Sequence, residues 1–600
     1  IDDALRSNAD TAAIAQVLLQ QVPSLPGEGQ LASARHIVNL MPDKDYLSAL
    51  SPDAEGQQEE IDAVRGEDGY NWGYDPYHFT TPEGSYAKNP MGGNRTKEFR
   101  SMVQGLATAG LRTVMDVVYN HTNAAGQGEK STFDKIVPGY YYRLNSDGTV
   151  ANSTCCSNTA TERAMMGKFV RDSLRTWAVD YKVDGFRFDI MGHMPKDLLV
   201  QIREDMDALT PAVDGVDGSK ILLYGEGWNF GEVANDARFV QATQLNLQNT
   251  GIGTFDDRVR DVVRGGGPFD QDPRAQGFGS GLCVDPNDSG LDSVDGCSAA
   301  VLITDSVKVA LSGELASSNS DGPQFSFIDS GGFDTWGFLV TYNGQPSGYT
   351  GEPTEAISYV DSHDDTTLFD TLAFKLPTNT NPATRARAQV VSLAVPFLSQ
   401  GIPFVVAGSD LLRSKSLDKN SYDSGDWFNA IDWSGKTNGF GKGLPMYGDN
   451  NSRWDVAATT LQNPKAYVRP ADIKATRDRF ADLLRMRYST PLFRLGSAQE
   501  VADRLKFPEG GDAQKAGVVV MQILSKGDGL EDLDPNLKSV LVVFNATGRV
   551  ATGEIADISD RTYSLHPVQA RGGDAIVKRS SLENGAYSVP ARTVAVFVEK

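Results

Sequence analysis

Val183-Asp-Gly-Phe-Arg-Phe-Asp-Ile190 decides how this chain is read. The run is short and largely apolar, as a strand buried on both faces of a parallel sheet is. Asp189 stands at its end, two places after Arg187 and therefore on the same strand face. Comparable runs recur at Thr113-Val-Met-Asp-Val-Val-Tyr119, Ile221-Leu-Leu-Tyr-Gly225, Ile357-Ser-Tyr-Val360 and Ile402-Pro-Phe-Val-Val-Ala407. Helical segments such as 164–180 and 385–399 lie between them. This alternation predicts a parallel α/β sheet, and its length makes a (β/α)8 barrel the expected architecture of residues 70–496.

On either side the pattern changes. Residues 1–69, rich in Ala, Gln, Asp and Glu, carry helical signals and read as an insertion or the remnant of an N-terminal domain. Beyond the helix expected at 476–488, Gly517-Val-Val-Val-Met-Gln-Ile523, Ser539-Val-Leu-Val-Val-Phe544 and Thr593-Val-Ala-Val-Phe-Val598 follow without intervening helices. Residues 497–600 are therefore expected to form an antiparallel β-sandwich domain.

Bulk properties narrow the function by exclusion. A formal charge of −22 argues against nucleic acid as a partner, since phosphate binding rests on Lys and Arg. A neutral polymer stays compatible. No apolar run reaches membrane-spanning length, and no signal-peptide pattern opens the chain. Four cysteines are too few for a disulfide framework. Adjacent Cys155 and Cys156 are badly placed for a mutual bridge. Cys283 and Cys297 bracket a short loop and either pair or remain free thiols. Gly251-Ile-Gly253 and Gly265-Gly-Gly267 read as loops, not as a phosphate cradle.

The strand ends carry the chemistry. Catalytic side chains of a barrel sit where strands give way to loops at the C-terminal face. Asp116 and the Asn120-His121 pair, Asp189, Glu226, and His363 with Asp364 all stand at such points. A lone Asp at a strand end more often caps a helix, and a lone His is more often structural. Their joint occurrence is what glycoside hydrolysis needs: one ionised carboxylate to attack the anomeric carbon and one protonated carboxyl to donate to the leaving oxygen. Arg187 is placed to keep Asp189 ionised, and the aromatic neighbour Trp228 to raise Glu226.

Asp116-Val-Val-Tyr-Asn-His121, Gly185-Phe-Arg-Phe-Asp189, Gly225-Glu-Gly-Trp228 and Ser362-His-Asp364 resemble, in order, the four conserved regions of glycoside hydrolase family 13. Tyr70-Asn-Trp-Gly-Tyr-Asp-Pro76 is similar to the signature of its pullulanase-type debranching enzymes. Arg413-Ser-Lys-Ser416, Ser421-Tyr-Asp-Ser-Gly-Asp-Trp-Phe-Asn429 and Ser564-Leu-His-Pro-Val-Gln569 extend the likeness, which covers roughly 60–600 and is strongest to the limit dextrinases of plants and algae. The resemblance implies hydrolysis of α-1,6 branch bonds in pullulan, amylopectin and limit dextrins, with a branched α-glucan or malto-oligosaccharide as substrate. It implies that Asp189 is the nucleophile, Glu226 the general acid/base and Asp364 the transition-state carboxylate. Tyr74 and Asp75 of the signature, His121, Arg187, Trp228, His363, Arg413, Asp426 and Trp427 are implied as substrate-binding residues. The rivals are an isoamylase-like debranching enzyme and a non-catalytic glucan-binding protein.

Two departures adjoin the site: Asp365 stands where relatives usually carry Asn, and Asn229 where they carry Asp. The hydrolysis requires no cofactor. Some family members bind structural calcium, but Asp285-Pro-Asn-Asp-Ser-Gly290 matches a calcium loop only partly, with Gly296 at its twelfth position, and reads as a polar turn. The resemblance also implies two barrel strands ahead of the signature, for which 36–41 is a weak candidate. Because the chain opens on Ile1 and six strands cannot close a barrel, those strands are expected in an upstream part of the same protein. Likeness to plant enzymes suggests the plastid stroma; the alternative is a secreted bacterial enzyme.

Overall fold

The computed structural model describes residues 44–65, 73–291, 298–317, 323–527 and 529–600. The expected strand candidate at 36–41, Tyr70–Trp72 of the signature, Gly296 and Cys297 lie outside them.

Six parallel strands form one sheet in chain order: β1 (Val114–Val117), β2 (Gly185–Phe188), β3 (Leu222–Gly225), β4 (Gly253–Asp256), β5 (Ala356–Ser358) and β6 (Ile402–Pro403). Each pairs with the next. Between them run α1 (Ala164–Val179), α2 (Lys196–Asp207), α3 (Asp257–Arg264), α4 (Ser298–Leu311), α5 (Leu368–Lys375) and α6 (Pro382–Leu398). Strand, helix and strand in succession, with like-directed strands adjacent, is the arrangement that buries a sheet beneath its own crossover helices. Accordingly, Phe186 and Phe188 of β2 are buried with Met166, Val170 and Leu174 of α1 and with Leu199 and Ile202 of α2.

Two details depart from the sequence reading. Gly253, expected in a loop, opens strand β4. A Cβ there would lie 3.0 Å from Ile357 Cδ1 and 3.1 Å from Tyr224 Cβ, a tight fit between the neighbouring strands β5 and β3. Gly253 and the brevity of the strand hid it from a pattern search that rewards branched residues. Ile402 starts a strand of only two residues, where a longer one was expected.

The C-terminal part is antiparallel. Strands β7 (Leu505–Lys506), β8 (Val518–Leu524), β9 (Ser539–Asn545), β10 (Ala551–Glu554), β11 (Tyr563–Leu565), β12 (Ser581–Glu583), β13 (Ala586–Val589) and β14 (Thr593–Glu599) make two sheets, ordered β7-β8-β9-β14-β11 and β10-β13-β12. The period of two sorts the residues of β8 and β9 between two cores. Val518, Val520, Leu541 and Val543 face the smaller sheet. Val519, Met521, Val540 and Val542 join Val391 and Leu393 of α6 and Leu483 and Met486 of the helix Pro470–Ser489. The β part is thus joined to the α/β part by shared core. Across this junction Arg387 donates to Asp574 Oδ2 at 2.8 Å and to the carbonyl of Arg592 at 3.0 Å.

Of the N-terminal segment, the helices Lys44–Ala49 and Gly56–Arg65 are described. Leu47 and Ile61 pack on Phe428 and Met446, which docks this segment on the loop region after β6.

Candidate active site

Register puts the two central carboxylates side by side. Phe188 of β2 pairs with Gly225 of β3, and the next residues are Asp189 and Glu226. Neighbouring strands lie about 4.8 Å apart, so both side chains leave adjacent strand ends toward one space. The backbone continues the ladder: Asp189 N–H donates to Val117 O at 2.9 Å and Glu226 N–H to Phe188 O at 3.1 Å. Two glycines permit the close approach. A Cβ on Gly225 would stand 2.4 Å from Phe188 O, and one on Gly192 2.1 Å from Trp228 O. Ile190, directly after Asp189, has φ 39°, a left-handed conformation that a β-branched residue adopts only at a cost. In that position its N–H donates to Glu226 Oε2 at 2.8 Å.

One guanidinium binds three strand ends together. Arg187 is 6% exposed and reaches Asp116 at 2.8 Å, Asp189 at 3.3 Å and Glu226 at 2.8 Å. Its Cζ lies 5.8 Å from the ring centre of Tyr74 and 5.6 Å from that of Phe255. Tyr74 donates its hydroxyl to Asp116 and contacts His363 Nε2 at 2.9 Å. His121, buried, donates from Nε2 to the Tyr74 carbonyl at 2.6 Å and accepts from the Asn120 side chain at 2.9 Å. Asp364 lies 3.2 Å from His363 Nδ1. The structure thus brings Tyr74, Asp116, His121, Arg187, Asp189, Glu226, His363 and Asp364 to one place, from parts of the chain as far apart as Tyr74 and Asp364.

The electrostatics differ from the simple expectation. Burial pushes the Asp189 carboxyl up to about 7, the negative charge of Glu226 pushes the same way, and Arg187 opposes both. Glu226 has the closer ion pair with Arg187 and accepts from the Ile190 N–H, whereas Asp189 meets Arg187 at the longer distance. Burial alone would raise Asp364, but the hydrogen bond and charge of His363, with Arg187 and Lys415, hold it below the ordinary carboxylate range. Desolvation lowers His121, which keeps it neutral.

Trp228 is half-buried and packs on Phe255, Ile357 and Tyr359. Arg413, Asp426 and Trp427 make their contacts in the loops after β6. Arg413 donates to the carbonyls of Asn429 at 2.7 Å and Ala407 at 3.3 Å, Trp427 donates to that of Lys442 at 2.7 Å, and Asp426 is exposed in the short helix Gly425–Asn429. The departures from the family pattern are accommodated. Asp365 takes φ 64°, which Asx residues tolerate, and pairs with Arg264 at 3.3 Å; Asn229 accepts from the Asn235 N–H at 2.7 Å.

Two positioning groups escaped the sequence reading. Asp116 was seen as a strand-end acid without its role as partner to both Arg187 and Tyr74. Lys415, inside the quoted 413–416 motif, donates to the carbonyls of His363 at 3.2 Å and Asp365 at 2.7 Å, which fixes the loop carrying Asp364. The cysteine expectation needs correction: Cys155 and Cys156 are bonded to each other. Their loop is held in place by the short antiparallel pairing of His121–Thr122 with Ser157–Asn158, and that pairing sets both sulfurs beside His121. In the loop 285–290, Asp285 is taken up by Arg592 at 2.7 Å and Asn287 donates to the carbonyls of Arg274 and Lys375, as a polar turn would.

Residues 435–600 match the family described as alpha-1,6-glucosidases, pullulanase-type, C-terminal. Over 93% of its length the chain is 44% identical to pullulanase 1, chloroplastic, of Arabidopsis thaliana, and over 88% it is 42% identical to the pullulanase of Klebsiella pneumoniae. It spans 58% and 47% of those two proteins. A crystal structure of a maltotriose complex of PulA from Klebsiella pneumoniae superposes with TM-score 0.86 at 38% identity, covering 98% of this chain and 61% of that one. On these likenesses, which run through the α/β and β parts alike, the chain is similar to pullulanases along most of its length, and its residues 435–600 match the pullulanase-type family.

Proposed function

We propose that this chain is the catalytic part of a retaining debranching enzyme that hydrolyses α-1,6-glucosidic bonds of pullulan, amylopectin and limit dextrins. The observation that carries this reading is the single Arg187 guanidinium shared by Asp189 and Glu226 at adjacent strand ends. It supports the short carboxyl separation of about 5 Å that double displacement needs. Asp189 attacks the anomeric carbon while Glu226 protonates the departing α-1,6 oxygen. Glu226 then takes a proton from water as the covalent intermediate is released. For this Glu226 carries the proton when a sugar enters, and Arg187 stabilises the ionised Asp189.

Asp364 binds sugar hydroxyls more strongly in the oxocarbenium-like state than in the ground state. Tyr74 lies under the sugar ring, with Asp75, His121 and His363 at its hydroxyls. Trp228, Arg413, Asp426 and Trp427 contact the glucan further out. The reaction uses no metal. The sheet is six strands of an eight-stranded barrel; like-directed neighbours in chain order and the far greater length of the relatives support that reading. The chloroplastic relative supports a plastid location.

The test is incubation of the protein with pullulan, with the product followed by NMR. Release of maltotriose whose new reducing end is initially α is expected. An initially β product, or full activity in Asp189→Ala, refutes the assignment.

A further inference from the structure

The Cys155–Cys156 bridge lies against two side chains of the proposed sugar pocket. Cys155 Sγ is 3.6 Å from His121 Nε2 and 4.0 Å from Asp75 Oδ1, and Cys156 Sγ is 3.4 Å from the same Asp75 oxygen. The four donor atoms lie within 4.8 Å of one another. Tetrahedral zinc, with bonds of about 2.0–2.3 Å, sets its ligand atoms about 3.3–3.8 Å apart. Two sulfurs, one imidazole nitrogen and one carboxylate oxygen at nearly that spacing form a zinc donor set, except that the sulfurs are bonded to each other.

We propose that reduction of this bridge creates a site for a thiophilic divalent cation, with Cys155, Cys156, His121 and Asp75 as ligands, and that the bound cation closes the sugar pocket. The opening step takes two electrons and two protons from a dithiol, which leaves as its disulfide, or two electrons from a phosphine and two protons from a water molecule, whose oxygen the phosphine keeps as its oxide. Metal binding then displaces both thiol protons.

His121 has a ready route to ligation. Its Nε2 now donates to the Tyr74 carbonyl, while Nδ1 accepts from the Asn120 amide. Asn120 Oδ1 is buried without a hydrogen-bond partner. Turning that amide over presents the oxygen to Nδ1, which then carries the proton and frees the Nε2 lone pair. The supporting frame is rigid on the sulfur side. Thr154 donates to Asn158 Oδ1 at 2.6 Å, and Asn158 donates to Glu232 Oε1 at 3.0 Å. Buried Arg143 donates to that Glu232 oxygen as well, at 2.9 Å. Ligation also draws His121 away from Tyr74, the residue proposed to lie under the sugar. The blocking half of the inference rests on the proposed glucosidase reading; the binding half does not.

The protein is reduced with a phosphine, freed of excess reductant without oxygen, and titrated with zinc against a chromophoric chelator. Reduced wild type is expected to take up one zinc about 100-fold more tightly than the oxidised protein. Cys156→Ser is expected to lose that advantage, and cobalt in place of zinc to give a thiolate charge-transfer band in reduced wild type alone. Equal zinc affinity in oxidised and reduced protein, or full affinity in reduced Cys156→Ser, overturns the site. Pullulan hydrolysis by reduced wild type should fall on zinc addition, and that of Cys156→Ser should not. Zinc bound at the site with hydrolysis unchanged overturns the blocking half. Absence of any hydrolysis refutes the glucosidase reading and leaves the binding result to decide the site.

Discussion

Asp189→Asn is expected to stabilise the protein above neutral pH while abolishing turnover. Burial and the Glu226 charge raise the Asp189 carboxyl from an ordinary 3.8 to about 7. A carboxyl raised by folding binds its proton more tightly in the native state than in the unfolded one. Native stability from this group is therefore intact below about pH 4, declines as pH rises between 4 and 7, and is fully lost above 7. The gap corresponds to about 4 kcal/mol. Asparagine fits the site without a titratable proton and removes that cost. With an unfolding entropy of about 2.1 cal/mol/K per residue, 4 kcal/mol shifts the Tm of a single 600-residue cooperative unit by about 3 °C. Thermal unfolding of both proteins from pH 4.5 to 8.5, followed by tryptophan fluorescence, checks this. The variant should gain Tm as pH rises to about 7 and level off above it, with the difference at pH 4.5 reduced to about a quarter of its full size. A pH-independent difference, or a variant less stable at pH 8.5, refutes the upward shift of the Asp189 carboxyl. Such a gain would also show that the carboxyl at position 189 is kept at a cost in stability.

Glu226→Gln should lose activity on pullulan by about 10³-fold or more, yet retain turnover of α-maltosyl fluoride, whose leaving group needs little protonation; equal losses on both substrates would remove Glu226 from the acid role. Arg187→Ala leaves three carboxylates without their shared cation and should cost about 3–5 kcal/mol in urea unfolding, with Arg187→Lys recovering only part, because one ammonium does not span three strand ends. Lys415→Met frees the carbonyls of His363 and Asp365, so KM for pullulan should rise and kcat fall together while Tm changes little. Asp574→Ala, which leaves Arg387 and Arg479 unpaired at the junction with the β part, should lower Tm without altering kcat on pullulan.

Which groups reach the site was largely legible one strand at a time. Asp189, Glu226 and His363-Asp364 each follow an apolar run, and the residue after such a run lies at the C-terminal rim whatever the rest of the chain does. Arg187 could be set on the face of Asp189 because alternation along a strand is a local rule. The C-terminal strands were legible for the same reason. Strand β4 was not, since it opens on Gly253, whose tight fit against Ile357 is set more than a hundred residues away in sequence.

Only the tertiary structure could decide what depends on register and on loops meeting. That Phe188 pairs with Gly225 fixes Asp189 beside Glu226, and nothing local to either strand specifies that pairing. The electrostatics went the same way: sequence set Arg187 to keep Asp189 ionised, whereas in the folded site burial and the Glu226 charge push the Asp189 carboxyl up. The placement of the bonded cysteines against His121 and Asp75 follows from one short strand pair that draws two loops together. A sequence specifies which groups each strand delivers to its end; distance, burial and charge sharing among those groups exist only once the strands are laid side by side.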